Sequence, residues 1–507
     1  MKKIQKLFIL FALVCFALCA FAACGNVGDT TVPEDENEET VERVVTFTFT
    51  LKDDDTYELT GCEDEVADLV IPATYNDKPV TSIGNAALRD RDRMTSVTLP
   101  ESVTSIGELA FAFDRDLTTV NIPDGVTSIG EAAFMHCEAL AGIALPATVT
   151  NIGRNAFYGC SGITDFSIDE NNTVYSGAGN CLVEKETKKL IFGGKNSVIP
   201  DDGSVEMIED SAFYECKGLT SIVIPDSVTK IRDDAFRRCH DLTSVTIGSG
   251  VTKIEYLPFS ECENLESITV NEDNTVFHSA GNCLIKTAEK SLILGCKNSV
   301  IPDDGTVTTI GTSAFFGCST LTNITIPSGV TAIETCAFGY SGLTSIILPG
   351  SVESVEFQAF FSCKNLTSVT LGRGLTSIAS SAFNYSDKLA SITVDEENEK
   401  YHSQGNCLIE TETKKLIIGC KDSVIPTDGS VTSIGAAFSQ CHGLTSITIP
   451  VSVTEMNGTF YGSDNLTTIT YLGTIEQWNE IAKEGNWDFE TGNYTVHCKN
   501  GDITKQK

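Results

Sequence analysis

Leu219-Thr-Ser-Ile-Val-Ile-Pro225, then Asp226-Ser-Val228-Thr-Lys-Ile231, then Arg232-Asp-Asp-Ala235-Phe236-Arg-Arg-Cys239, reads as one turn of a coil. Leu219, Ile222 and Ile224 are apolar, with Thr220 and Ser221 between them, which describes a short strand with one inward and one hydroxyl-bearing face. Pro225 carries no amide proton for a ladder and stops the strand. Val228 and Ile231 begin the return, and Ala235, Phe236 and Cys239 fill the other side of the coil. A single turn of this kind cannot bury its own apolar set. Stacked turns can, because each Leu, Ile, Phe and Cys then meets its counterpart in the next coil.

Working outward, the same pattern recurs. Aligned on Val-Thr-x-Ile, units start at Val80, Val103, Val126 and Val149, at Val205, Val228 and Val251, at Val307, Val330, Val352 and Leu375, and at Val431 and Val453. Steps within a group are 22 or 23 residues, and the three steps between groups are 56 residues, so each of these carries a 33-residue insertion. A period in the low twenties falls in the leucine-rich-repeat range. The insertions are copies of one another: Asn180-Cys-Leu-Val, Asn282-Cys-Leu-Ile and Asn406-Cys-Leu-Ile each open two β-prone runs joined by a polar turn, the pattern of a hairpin. Each follows an acidic turn such as Asp169-Glu-Asn-Asn172 and leads into Ser-Val-Ile-Pro, as at Ser197–Pro200.

The full repeat, L-x-x-I/V-x-I/V-P-x-x-V/L-x-x-I-G-x-x-A-F-x-x-C, resembles the BspA-type (TpLRR) leucine-rich repeats of bacterial surface proteins over about 390 of the 507 residues. The resemblance implies a β-rich leucine-rich-repeat solenoid capped at both ends. It further implies a non-catalytic adhesin or interaction protein whose partners are host matrix or cell-surface proteins, or other bacteria. A cell-envelope spacer without a specific ligand is the alternative. Residues 45–79, with Leu69-Val-Ile-Pro72, are similar to the family's N-terminal cap, residues 80–470 form the solenoid, and 471–507 form the C-terminal cap. In that cap Ile475 to Lys483 favours a helix with Trp478 and Ile481 on one face, Tyr494 to Cys498 a strand, and Asn500-Gly501 a turn.

The N-terminus carries an export pattern in residues 1–23: Lys2, Lys3 and Lys6, then an uncharged apolar run from Leu7 to Ala23. Phe21-Ala22-Ala23-Cys24-Gly25 resembles the lipobox of bacterial lipoproteins, although Phe21 stands where leucine is usual. The resemblance implies lipidation of Cys24, a membrane anchor through that lipid, and display at the bacterial cell surface. Residues 24–44 are acid-rich with few large apolar groups, the composition of a disordered tether. The formal charge is −34, and loss of the three leader lysines deepens it further. Such a body repels phosphate backbones and anionic head groups, so nucleic acid is not expected as a partner.

No cofactor or metal site is expected. Cys137, Cys160, Cys216, Cys239, Cys262, Cys318, Cys363 and Cys441 share one repeat position, yet other units place Arg91, Asp114 or Ser386 there, so no obligatory disulfide partner exists. A ladder of buried free thiols is expected, suited to a niche low in oxygen. Cys283/Cys296 and Cys407/Cys420 could bridge their hairpins, but the first copy has Gly194 opposite Cys181. There is no C-x-x-C and no Cys/His cluster at ligand spacing. His136, His240 and His442 neighbour the repeat cysteine or stand in its place's flank without an orienting third group. Acid pairs at Asp169-Glu170, Glu272-Asp273 and Asp395–Glu397 match no calcium loop. No phosphate loop, nucleophile elbow, zincin helix or dinucleotide fingerprint is present. The expected binding surface is the outward strand face, with Thr220, Ser221, Thr243, Ser244, Thr344, Ser345, Thr367, Ser368, Thr445 and Ser446, or the three insertion hairpins. That face shows no aromatic stripe.

Overall fold

The computed structural model describes residues 45–505, so the leader, Cys24 and the whole acidic tether lie outside the described residues. The chain is a leucine-rich-repeat β-solenoid, and each coil has three sides. On the long-strand side, Ser221–Ile224, Ser244–Ile247 and Ser267–Val270 run parallel, with Ser221 opposite Ser244 and Ile224 opposite Ile247. Ile222 and Ile224 are buried while Ser221 and Val223 are exposed, the alternation expected of a strand with one covered face. The short-strand side has two-residue strands, such as Lys230–Ile231 and Lys253–Ile254, also parallel.

The third, turn side is hydrogen-bonded from coil to coil as well: the Phe213 amide donates to Ala235 O (2.7 Å) and the Phe236 amide to Pro258 O (2.7 Å). The chain bends there at two left-handed residues per coil, such as Leu109 (φ 56°) and Phe113 (φ 68°), or Cys336 (φ 55°) and Tyr340 (φ 57°).

Inside, one phenylalanine per coil stacks on the next. Centroids lie 5.1 Å apart for Phe111–Phe134, 4.7 Å for Phe213–Phe236 and 5.2 Å for Phe338–Phe360, with near-parallel planes. Ring spacing follows strand spacing, since both are set by the same ladder of about 4.8 Å. Beside the rings, the repeat cysteine has a specific task. Its thiol donates to the carbonyl of the phenylalanine one coil back: Cys137 to Phe111 O (3.1 Å), Cys160 to Phe134 O (2.9 Å), Cys239 to Phe213 O (3.0 Å) and Cys262 to Phe236 O (3.1 Å). A buried carbonyl needs a donor. Ser386 and Ser463 meet the same need with hydroxyls, to Phe360 O (2.9 Å) and Phe438 O (2.5 Å), which explains why Cys and Ser interchange there. All sixteen described cysteines are unbridged, including Cys283, Cys296, Cys407 and Cys420.

The insertions are hairpins. Cys181–Glu184 pairs antiparallel with Lys189–Gly193, Cys283–Lys286 with Ser291–Leu294, and Cys407–Glu410 with Lys415–Ile418. Each second strand then pairs parallel with the first short strand of the following coils, as Ser291 with Thr309. Each hairpin is a wall between two cores. Leu284 and Cys296 pack with the preceding coils, whereas Cys283, Ile285 and Leu292 pack with the following ones. Leu408 and Ile418 face back, and Cys407, Ile409 and Leu416 face forward. Burial on both faces accounts for the unbroken apolar run Cys-Leu-Ile.

One asparagine fastens each insertion. Asn274 Nδ2 donates to Gly248 O and Val251 O (both 2.9 Å), and its Oδ1 accepts the amides of Val276 (2.9 Å) and Phe277 (2.8 Å). Asn172 and Asn398 repeat this fourfold pin. At the C-terminal end the helix spans Ile475–Glu480 with a Thr474/Gln477 capping box, and buries Trp478. It stops before the expected Lys483, because the Ala482 amide joins the short-strand ladder at Thr454 O (2.9 Å) and Ala482–Glu484 pairs with Glu455–Asn457. Tertiary pairing outweighs local helix preference there. Thr495–Cys498 and Gly501–Thr504 form the closing hairpin about Lys499-Asn500.

Candidate ligand-binding surfaces

The structure places the candidate hydroxyl residues on the outer surface of the long strands, exposed at Thr220, Ser221, Thr243, Thr344, Ser345, Thr367, Thr445 and Ser446 and half-buried at Ser244 and Ser368. They fall in three separate sheets, because the hairpins interrupt the row. Three of the threonine protons are committed to the backbone of the coil before. Thr243 Oγ1 donates to Thr220 O (2.9 Å), Thr344 Oγ1 to Thr322 O (3.3 Å), and Thr367 Oγ1 to Thr344 O (3.0 Å). What faces outward at these threonines is the acceptor side of a hydroxyl. Between them the same face exposes apolar groups: Val223 is 61% exposed and Ile347 68%, and each Ser-Val-Ile-Pro segment presents its valine, Val198, Val300 or Val424. The face is therefore mixed, hydroxyl and aliphatic.

Beside the first two hairpins the regular stack opens. A cleft of about 370 Å³ lies between Ile152–Tyr158 and the first hairpin, with Glu184, Lys189, Glu209 and Arg232 on its walls. A second, of about 460 Å³ and more apolar, lies beside the second hairpin against Phe259, Phe277, Ile293 and Phe316.

The charges of the first cleft satisfy one another. Arg232 pairs with Glu209 (2.8 Å), Asp210 (3.1 Å) and Glu255 (3.4 Å), while Lys230 and Lys253 reach Glu255 at 2.8 and 2.9 Å. Those two lysines hold the Glu255 carboxyl down at about 2. Asp210, Asp233 and Glu255 do approach within 4.8 Å of one another. Arg232 already supplies positive charge there, and Asp233 accepts the Tyr256 amide (2.7 Å), so the trio is an ion-pair network. The acidic turns are likewise self-satisfied: Asp169 accepts the Asn171 amide (2.8 Å) and Asp395 the Glu397 amide (2.9 Å). Cys137 bonds a backbone carbonyl, and His136 stacks on Phe113 and meets Tyr158 edge to face, so the neighbours form no catalytic dyad.

That histidine belongs to a feature the sequence reading did not find. On the turn side, rings run from coil to coil: Phe113–His136 (5.4 Å), His136–Tyr158 (5.3 Å) and Tyr158–Tyr214 (4.3 Å), then Phe316–Tyr340 (5.2 Å), Tyr340–Phe361 (5.3 Å), Phe361–Tyr385 (5.0 Å) and Tyr385–His442 (5.1 Å). Arg89 lies 5.2 Å over Phe113, and the Arg238 guanidinium reaches Tyr214 Oη at 3.1 Å. The rings are half-buried, and Tyr340 is 45% exposed. Burial and the adjacent Tyr214 hydroxyl hold the Tyr158 phenol well above the ordinary tyrosine range.

A family model described as the BspA type leucine rich repeat region matches residues 81–203, 192–304, 293–407 and 417–486. The chain belongs to this family. Among solved structures it is similar to a leucine-rich cell surface protein of Faecalibacterium prausnitzii, at 26% identity over 87% of this chain and 97% of that one, TM-score 0.42. It is also similar to a leucine-rich repeat protein of Eubacterium ventriosum (22% identity, 62% and 92% covered, TM-score 0.43). A third is the pneumococcal vaccine antigen PcpA (17% identity, 90% and 97% covered, TM-score 0.37). No curated protein matches the sequence.

In this BspA-type chain the ribbon was hidden by its register. Two positions follow the core phenylalanine, and either supplies the ring. Ala112-Phe113, Gly339-Tyr340 and Asn384-Tyr385 use the second, whereas Tyr158-Gly159, Phe316-Gly317 and Tyr461-Gly462 use the first. The second position is left-handed in every one of these coils, so a ring there adopts a φ that costs an L-residue roughly 1–2 kcal/mol. Where the partner is glycine, contact accounts for it. A Cβ on Gly159 would sit 2.5 Å from the His136 ring, and one on Gly339 2.9 Å from the Phe316 ring. In these coils one ring per coil fills a single lane. Among the described residues no helix is long and apolar enough to cross a membrane.

Proposed function

We propose that this protein is a non-catalytic scaffold, displayed on a bacterial surface through a lipid on Cys24, that binds other proteins on host matrix, host cells or neighbouring bacteria. The observation carrying the reading is the ladder itself. Parallel pairing on the strand sides and amide bonding along the turn side hold exposed residues at a fixed pitch over the solenoid. A rigid array of this kind presents many side chains to a large partner with little ordering cost. Membership of the BspA-type family supports it, and the leader with its Cys24 motif supports export and anchoring. The candidate sites for such a partner are the mixed long-strand face and the clefts beside the hairpins.

The test is a binding screen of the purified protein against immobilised matrix proteins, mucin and intact bacterial cells. A saturable partner lost on changing Thr220, Thr243 and Thr367 together to lysine establishes the strand face as its site. Silence from a folded, monodisperse sample, with an envelope defect on gene deletion, replaces this reading with that of a spacer. Anchoring is tested by metabolic labelling with a fatty-acid probe, which should mark the protein and fail on Cys24→Ala.

A further inference from the structure

At the second hairpin the turn side opens into a groove of about 510 Å³. One wall is formed by Arg237 and Arg238, both held by Glu261 at 2.5 and 2.9 Å. The opposite wall is the start of the second ring series, Phe316 and Tyr340. The lane continues through Phe361 to Tyr385, with successive planes inclined by 71°, 69° and 64°. Successive rings are thus turned to different directions along the lane, instead of closing into one flat stack.

We propose that this groove and four-ring lane bind an unbranched neutral glycan lying along the solenoid axis. The inference rests on the scaffold reading and gives one partner its chemistry. Width is the first argument. The lane is one ring across, whereas a stable protein interface needs a patch of about 800 Å² per partner with a closed core. A polymer chain fits a lane of that form. Charge is the second. Arg237, Arg238 and Lys364 in the groove face Glu261 and Glu263, so it suits neither a polyanion nor a polycation, although the whole chain carries −34. Chemistry is the third. Half-buried rings offer apolar platforms to the C–H faces of pyranoses. Exposed Ser319, Lys364 and Asn365 along the rim offer donors and acceptors to their hydroxyls. The fourth is conformational. Tyr340 and Tyr385 keep rings at left-handed backbone positions where glycine serves elsewhere in the lane, at Gly317 and Gly462.

The experiment measures binding of the intact protein to linear neutral hexasaccharides of glucose, xylose, mannose and N-acetylglucosamine by calorimetry. The expected result is saturable binding to at least one of them, nearly unchanged between 0.05 and about 0.5 M salt, as an uncharged ligand requires. Tyr340→Gly with Tyr385→Gly should weaken it at least tenfold while far-ultraviolet circular dichroism shows the coils still folded, because glycine suits both backbone positions. The Thr220, Thr243 and Thr367 lysine variant should bind the glycan normally. The proposal is overturned if no hexasaccharide binds, or if the double glycine variant binds as well as the parent. Glycan silence alongside a protein partner on the strand face leaves the scaffold reading standing, and a protein partner lost in the glycine variant makes the lane a protein site. Silence towards both classes removes both readings.

Discussion

Asp114 occupies the repeat-cysteine position in the second coil and is fully buried. Ser386 and Ser463 show what that position requires. The Ser386 hydroxyl accepts the Cys363 amide (3.1 Å) and donates to Phe360 O (2.9 Å), and Ser463 repeats both bonds with Cys441 and Phe438. Asp114 Oδ1 accepts the Arg91 amide at 2.8 Å, the first of these bonds. Its Oδ2 is buried without a partner. The carbonyl assigned to it by the same spacing is that of Leu88, and only a protonated carboxyl can donate to it. The Arg91 guanidinium makes its own bonds to the carbonyls of Cys62 and Asp64, and its charge offsets only part of the cost of burying a carboxylate. Burial accordingly pushes the Asp114 carboxyl up to about 8, against the Arg91 amide bond and charge, with Asp90 and Asp92 adding to the rise.

The sign of the pH dependence follows. A carboxyl raised in the folded state binds its proton more tightly there than in the unfolded chain, where its pKa is about 3.9. Its contribution is complete below about pH 4 and is lost as pH rises, at about 1.4 kcal/mol per unit until the folded value near 8. By pH 7 the loss is of order 4 kcal/mol relative to a neutral occupant. Asp114→Ser should therefore be more stable than the parent at pH 7, and the difference should shrink steadily on acidification to pH 4.5. Urea unfolding of both proteins at several pH values, followed by a probe in the N-terminal coils, measures it, and the difference cancels groups common to both. A difference that is flat with pH, or a serine variant less stable at pH 7, would refute the protonated-donor account.

Other expectations rest on separate observations. Phe236→Ala should cost about 3–5 kcal/mol, as emptying a ring site between Phe213 and Phe259 does in a core; a loss below about 1 kcal/mol, measured by urea unfolding, contradicts the stacking. Native thiols should react sluggishly with iodoacetamide at pH 8, because burial raises Cys363 to about 11 and Cys407 to about 12. Labelling of either within minutes, read by mass spectrometry, would mean that the coils open there. Asn274→Ala removes the two bonds that the pin donates and the two that it accepts, and should cost roughly 2 kcal/mol or more; unchanged hydrogen-exchange protection at the Val276 and Phe277 amides would show that the pin is dispensable.

The coil was legible from the sequence because its signals are local and repeated. Leu219, Ile222 and Ile224 face inward, Pro225 ends the strand, and Phe236 and Cys239 are buried where periodicity places them. The role of Cys239 was not legible, since a thiol serving as a donor to Phe213 O depends on a neighbour 26 residues away. The ribbon escaped for a different reason. Strand periodicity assigns a ring to a fixed position, but here Tyr158 and Tyr340 occupy different positions in the repeat and reach the same lane only after the chain turns through a left-handed residue. Sequence alignment separates what the fold superposes. The committed hydroxyls of Thr243 and Thr367 show the converse: residues that align on one face are partly consumed in building it.

The N-terminal cap extends this argument to the architecture. Phe47–Leu51 pairs antiparallel with Tyr57–Cys62, which pairs parallel with Lys78–Ile83, and the register slips between Thr48 and Phe49. The three insertions show the same order of pairings, with slips after Leu182, Leu284 and Leu408. The 33-residue insertions are thus repeats of the cap inside the solenoid, and the chain comprises four hairpin-headed blocks. A hairpin buried on both faces joins two cores, but it cannot extend the short-strand ladder of the block before it. The Ile152 amide, left at the end of one such ladder, donates to the Tyr175 hydroxyl (3.1 Å) instead of to a strand. Where Phe277 replaces that tyrosine no hydroxyl is available, and the larger apolar cleft lies at that junction, with the ring-lined groove beside it on the turn side. The departures from regularity that ligands can use are therefore consequences of how the blocks are joined, and a variant Phe277→Tyr, restoring the hydroxyl, should tighten the second junction and narrow its cleft without disturbing the coils on either side.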